Sequence, residues 1–444
     1  MFRSKILYEI DYFTLLVAIG LVTFGVFTIA GAGVNEEVAN LWYKQRWFKQ
    51  IIWALCGFAL LTLILCIDYQ LLIRFAPAIY VIGIVGLLLC FIPFFVLERK
   101  GASSWIHIGP LPQIQPAEFA KLTTILMLAR ILAAKKEQWY GLIDLMKPLL
   151  IGMIPSLLIL KQPDLGSAFV FIPITLIMMF VAGMPYAYLL LLCSPALCLL
   201  GISHDPLFIL IWLALVGSIL LVAILHQVPW SITVPFVLIS LGAYFIVFEY
   251  GQTIWEHAPQ HAKLRIEGYM QPDMDPNATN YNINQSKIAL GSGGFWGKGL
   301  GKGTQSTLKF LPEYQHDFIF PVVGEQSGFI GAVSLLALFL LLLIRGMDTA
   351  VEAKTLQGAL VAAGIVALFF SHILINVGMV TGLLPVTGLP LTFISYGGSF
   401  MLANLMGVAL MINVRMRGPH EMLKDSIFIS RSQMALPAHI PDDF

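Results

Sequence analysis

"LPEYQHDFIFPVVGEQSGFIGAVSLLALFLLLLI", Leu311 to Ile344, begins polar and ends as an unbroken apolar run. From Phe318 onward its one ionisable side chain is Glu325. As a helix this run is long enough for a hydrocarbon core of about 30 Å. The stretch therefore reads as a membrane span entered from water, with Asp317 at the crossing point. On one straight helix Glu325 would lie about 12 Å deeper and about 80° round the axis, so the two carboxylates cannot form a close dyad. They are expected to do different jobs.

The same texture recurs along the chain. Of 444 residues, 58% are hydrophobic and 11% charged, with a mean hydropathy of +0.84, which fits no soluble class. Apolar runs predict about twelve spans, near 12 to 32, 48 to 67, 75 to 96, 117 to 134, 147 to 160, 165 to 183, 186 to 203, 206 to 225, 230 to 250, 318 to 344, 358 to 378 and 399 to 414. The fold expected is an all-α polytopic transmembrane bundle over residues 1–417, followed by a cytoplasmic tail, 418–444. The basic N-terminus, with no convincing cleavage site, reads as a retained first helix. Pro155 and Pro195 interrupt the short fifth and seventh spans, so one of these can be a bent or partial helix.

An even number of spans puts both termini on one side. Lysines and arginines divide equally between the two sides, but six of one set lie in the stretch 251–317, and long loops weigh little. The remaining bias places the termini inside. Residues 97–118, the loop 251–317 and the Gly/Pro-rich turn 379–398 then face outward, and the chemistry is expected there. A net charge of +1 gives no signature for nucleic acid. The five cysteines fall inside apolar spans and read as small hydrophobes rather than a disulfide framework.

Several groups carry candidate chemistry, each with a plainer reading beside it. In "QPAEFAK", Glu118 and Lys121 share a helix face, as an ion pair fixing a helix end or as part of a site. In "KQPDLGSAF", Asp164 precedes a span and can cap it or serve a ligand. "GSGGFWGKGLGKG", with Lys298 and Lys302, is a glycine-rich segment that can turn tightly or wrap an anion, and it lacks P-loop spacing. His257 and His261 are separated by Pro259 and make a poor zinc pair. Trp105 is an interfacial aromatic or a sugar platform. A lone carboxylate at a wet border with lysines nearby fits transfer from a good leaving group such as a pyrophosphate, needing one general base and charge neutralisation.

The motifs "GASSWIHIG", "QPAEFAK", "PDLGSA", "LPEYQHDFIFPVVGEQSGFIG" and "NVGMVTGLLPVTGLPLTFISYGGS" occur in the order found in the shape, elongation, division and sporulation (SEDS) family, which includes RodA and FtsW. The chain resembles that family from about residue 100 to 415, and "VTGLP" with Thr387 resembles the RodA branch more than the FtsW branch. The resemblance implies a peptidoglycan glycosyltransferase that polymerises lipid II at the cytoplasmic membrane during elongation, with a class B penicillin-binding protein and other elongation proteins as partners. It implies Asp317 as the catalytic residue; Trp105, Glu118, Lys121 and Asp164 match positions implicated in function. Lys121, Lys287 and Lys298 are candidates for offsetting pyrophosphate charge, with a divalent cation (Mg or Mn) as an allowed contributor and no metal ligand assigned. Glu325, Gly397 and Gly398 are expected to support the site. Ser104 stands where many relatives carry arginine. The family core has ten spans, so a pair between Pro185 and the long loop is additional here. A lipid II flippase and an FtsW-like division enzyme are the alternative readings.

Overall fold

The structure is a computed structural model that describes residues 10–33, 42–92, 94, 96–99, 102–107, 113–134, 142–195, 197, 206–257, 263, 281–308, 310–311 and 313–417. The tail 418–444 and His261 lie outside the described residues.

Among the described residues each expected span falls largely on helix, although the end of the seventh, beyond residue 197, lies outside them. In chain order the helices are α1 (Tyr12–Ala32), α2 (Arg46–Cys66), α3 (Tyr69–Arg74), α4 (Ala76–Leu89), α5 (Pro116–Ala133), α6 (Leu142–Leu160), α7 (Leu165–Phe169), α8 (Phe171–Val181), α9 (Tyr186–Cys193), α10 (Pro206–Leu225), α11 (Trp230–His257), α12 (Tyr281–Ser292), α13 (Thr304–Thr307), α14 (Ile319–Glu352), α15 (Leu356–Thr381) and α16 (Gly398–Met416). Among the described residues, six helices are long and apolar enough to cross a membrane, and three shorter apolar helices accompany them. The protein is a multi-pass membrane protein. A small antiparallel hairpin, β1 (Val96–Arg99) and β2 (Ala102–Ile106), precedes α5.

α15 and α16 are the most enclosed of the long helices, whereas α11 is mostly exposed. α15 packs on α5, α8, α14 and α16, and α16 on α2. Such burial places α15 at the centre of the bundle. Among the described residues α10 and α11, the pair expected to be additional to the family core, pack chiefly on each other and on the short α9, which keeps them at the periphery. The sixth expected span is two helices, α7 and α8, meeting at Val170. α6 continues through Pro148 and Pro155, so the Pro-interrupted fifth span is one helix.

One end of the bundle is tied by charge. Asp11, the N-cap of α1, accepts from Arg345 of α14 at 2.9 Å and lies 3.4 Å from Arg415 of α16. Arg415 also pairs with Glu352 at 3.0 Å. Burial alone would push the Asp11 carboxyl up, but hydrogen bonds from Thr14 and Arg345 and the Arg345 charge outweigh it and hold the group below its ordinary range. At this end Asn413 donates its side-chain amide to Ile64 O (2.7 Å) and Ile67 O (2.6 Å), fastening α16 to the end of α2.

Candidate functional site

The opposite end gathers the motifs. α14 begins at Ile319, capped by Phe318, so Asp317 stands in the turn before the helix. The straight-helix relation between Asp317 and Glu325 therefore does not hold: a polar turn spanning Tyr314–Phe318 precedes the helix, because its backbone is claimed by other partners. Tyr396 N donates to Gln315 O at 2.8 Å, Ser395 Oγ donates to His316 O, and Asn376 Nδ2 donates to Asp317 O at 2.8 Å. Arg46 further holds Gln315 Oε1 at 2.9 Å. Asp317 itself is half-buried.

The segment 387–390 packs against Asp317 and against the turn that follows Asp164. A methyl group at Gly388 would lie 3.5 Å from Asp317 Oδ2. A methyl at Gly166 would lie 3.0 Å from Thr387 O and 2.8 Å from Leu389 Cγ. Gly166 is two residues beyond Asp164, the N-cap of α7, which accepts from Ser167 N at 3.0 Å. Asp164 Oδ2 also accepts from Gln115 Nε2 at 3.2 Å. Asp164 is thus a cap with a second contact: one oxygen serves the helix, and the other accepts from the residue leading into α5.

The hairpin rests beside this turn. Trp105 pairs with Leu97 across it, and Ile106 bridges to Ile114 just before Gln115. Buried Ser104 points its hydroxyl to Gln162 O at 3.5 Å, which gives that position a backbone contact in place of a charge. Trp105 is half-buried on this platform.

Beneath the segment lies a fully enclosed ion pair. Lys121 Nζ donates to Glu118 Oε1 at 2.8 Å and meets His372 Nε2 at 2.9 Å, and Lys121 has no exposed surface. An ammonium only donates, so His372 Nε2 accepts; its Nδ1–H then donates to Pro390 O at 3.1 Å. The chain Glu118, Lys121, His372, Pro390 ends on the segment that packs against Asp317 and the turn after Asp164. Lys121 thus reaches the site through His372 rather than by facing the outer loop.

Glu325 is the hub of the glycine-rich loop. Fully buried, it accepts from Lys298 Nζ (2.9 Å), Thr304 Oγ1 (3.1 Å), Gln305 N (2.9 Å), Ser306 N (3.3 Å) and Ser306 Oγ (3.2 Å). The loop folds down along α14 and repays a carboxylate that would otherwise be costly in the membrane. Close backbone contact demands the glycines: a methyl at Gly293 would stand 1.9 Å from Gly324 O, and Gly297 has φ +81 and would meet Gln326 O. This loop grips its own helix, so Lys298 is placed in a pair with Glu325. Lys287 is exposed on α12, and its Nζ would be 2.8 Å from a methyl at Gly382, the left-handed cap of α15. It sits where the negative end of the α15 dipole favours a cation. Gly398 lies against the Trp53 ring, and Gly397 N donates to Gln50 Oε1 at 3.3 Å, so both glycines seat the turn into α16.

Among the described residues no three His, Cys, Asp or Glu side chains converge as a metal site would require.

The order and convergence of these motifs have a known counterpart. A sequence profile of the FtsW/RodA/SpoVE cell cycle proteins matches residues 11–216 and 209–419. The chain belongs to that family. It is 32% identical over 434 residues to the peptidoglycan glycosyltransferase RodA of Treponema pallidum, covering 92% of this chain and 98% of that one. It is 33% identical over 409 residues to a probable peptidoglycan glycosyltransferase FtsW of Trichlorobacter lovleyi, covering 91% and 93%. In fold it matches a chain from a peptidoglycan synthase complex that coordinates polymerisation and crosslinking, with a TM-score of 0.68 at 23% identity over 93% of this chain and 99% of that one. Within the family frame, sequence reading had missed Gln115, His372 and Asn376. The last two carry a visible signal: polar residues four apart in the apolar run of α15, hence on one face.

Proposed function

We propose that the protein is a peptidoglycan glycosyltransferase of the elongation type, polymerising lipid II into glycan strands. The observation that carries the reading is the placement of Asp317: half-buried, at the start of a membrane helix, against the segment that also packs on the turn after Asp164. The family membership and the named activities of the relatives supply the reaction class.

In the proposed step Asp317 takes the proton of the GlcNAc 4-hydroxyl of one lipid-linked unit as that oxygen bonds to the anomeric carbon of another. The bond from that carbon to the pyrophosphate oxygen breaks, configuration inverts, and undecaprenyl pyrophosphate leaves with the bonding electrons. A general base of this kind is worth about 10²- to 10⁴-fold in rate. Exposed Lys287 at the outer end of α15 is the candidate for meeting the pyrophosphate, while Trp105 on its hairpin offers a sugar face. The lysine and arginine bias supports an orientation with both termini in the cytoplasm and this end of the bundle outside. The bond made and broken lies where headgroup meets hydrocarbon, which is why the base stands at the rim of the bilayer. A class B penicillin-binding protein, with the wider elongation machinery, is the partner proposed to crosslink the strand. No step is assigned to a divalent cation.

The test is polymerisation of purified lipid II by the full chain and by Asp317→Ala, with and without Mg or Mn, in liposomes supplied with substrate on the outside only. Strand formation by the wild type and its loss in the variant support the reading. Lipid scrambling without strands would assign a flippase instead.

A further inference from the structure

α15 turns one amide toward the site. Asn376 is fully buried, about a turn and a half from the outer end of the helix, and its single NH₂ group serves two acceptors from different parts of the chain. One hydrogen goes to Asp317 O at 2.8 Å, the other to Leu389 O at 2.6 Å. Two carbonyls can only accept, so both contacts require donors, and the amide orientation is fixed by chemistry. Asn376 Oδ1 is left buried with no hydrogen-bond partner among the described residues. An amide that gives up its acceptor to keep two donors in place points to the donors as what matters.

The two anchored carbonyls belong to the residue carrying the proposed base and to the segment that base faces across Gly388. We infer that Asn376 is a positioning residue: its bridged backbones set where the Asp317 carboxylate stands relative to the 387–390 segment and so to the acceptor hydroxyl. This rests on the proposed role of Asp317. A displacement of about 1 Å at such a site can cost about 10²-fold in rate.

The molecule contains its own control. Asn413 makes the same kind of bracket, one amide to Ile64 O and Ile67 O, at the other end of the bundle. The experiment measures lipid II polymerisation and thermal unfolding of the full chain for Asn376→Ala, Asn376→Asp, Asn413→Ala and Asp317→Ala. Asn376→Ala is expected to lower kcat about 10²-fold with KM within about two-fold. Asn413→Ala is expected to lower the unfolding temperature and leave kcat near wild type. Asn376→Asp keeps size and shape but, when ionised, offers the carbonyls no hydrogen; protonation restores one, so its pH–rate profile is expected to recover toward acid relative to wild type. Wild-type kcat in Asn376→Ala, a loss no greater than that of Asn413→Ala at equal destabilisation, or an unchanged profile in Asn376→Asp would overturn the inference while leaving the role of Asp317 standing. Full activity in Asp317→Ala would overturn both.

Discussion

Lys298 Nζ lies 2.9 Å from Glu325 Oε1, joining an outer loop to a carboxylate buried in a membrane helix. Glu325→Ala strips the acceptor from Lys298, Thr304, Gln305 and Ser306 together. Lys298 is partly exposed and can turn to water, but the Gln305 and Ser306 donors lose their carboxylate, and an unmet buried donor costs about 1–3 kcal/mol. The expected result is a marked fall in unfolding temperature and proteolytic opening of residues 293–307, read by limited proteolysis. Wild-type protease resistance in the variant would contradict the clasp.

The enclosed Glu118 and Lys121 make a sharper thermodynamic test. Lys121→Met leaves Glu118 buried without its cation and is expected to destabilise by roughly 3–5 kcal/mol, whereas the double change Glu118→Leu with Lys121→Met is expected to regain most of that stability. Activity should not return with it, since His372 then lacks the ammonium that fixes its tautomer toward Pro390. A double variant that recovers polymerisation along with stability would reduce the pair to scaffolding.

Asp11 links stability to pH. Its folded carboxyl is held below the ordinary range, so the charged form contributes stability above the unfolded pKa of about 3.9, and this is lost as pH falls through the folded value. Thermal unfolding from neutral pH down to about pH 3 should show a steeper acid decline in the wild type than in Asp11→Asn. The variant should be less stable at neutral pH. Parallel curves would mean that the Arg345 and Arg415 contacts contribute nothing measurable.

Placing Asp317→Asn beside Asp317→Ala separates charge from volume. Both lack a base and are each expected to lose about 10²- to 10⁴-fold in polymerisation, while unfolding temperatures stay near wild type. An active Asp317→Asn would move the base to another residue.

The spans were legible because a lipid-facing helix must be apolar along its whole length, and Asp317 because a carboxylate at such a border is conspicuous. Asp164 could be read as a cap from its place before an apolar run, but its second contact, from Gln115 on a distant segment, could not. The start of α14 was legible to within a residue, but the contacts that hold the turn before it, from Tyr396, Ser395 and Asn376, were not, since all three lie more than fifty residues away. Glu325 looked expensive for a related reason: its donors come from a loop whose glycines show flexibility in sequence but not where they fold. The pair His372 and Asn376 sat in plain view at helical spacing, yet only the packing of α15 against 389–390 tells which carbonyls they serve.

The peripheral attachment of α10 and α11 carries one last implication. Among the described residues this hairpin meets the rest chiefly through the eight-residue helix α9. Exchanging the hairpin's apolar residues for others of like hydropathy is therefore expected to leave polymerisation unchanged, even where a thicker or thinner bilayer favours a different span.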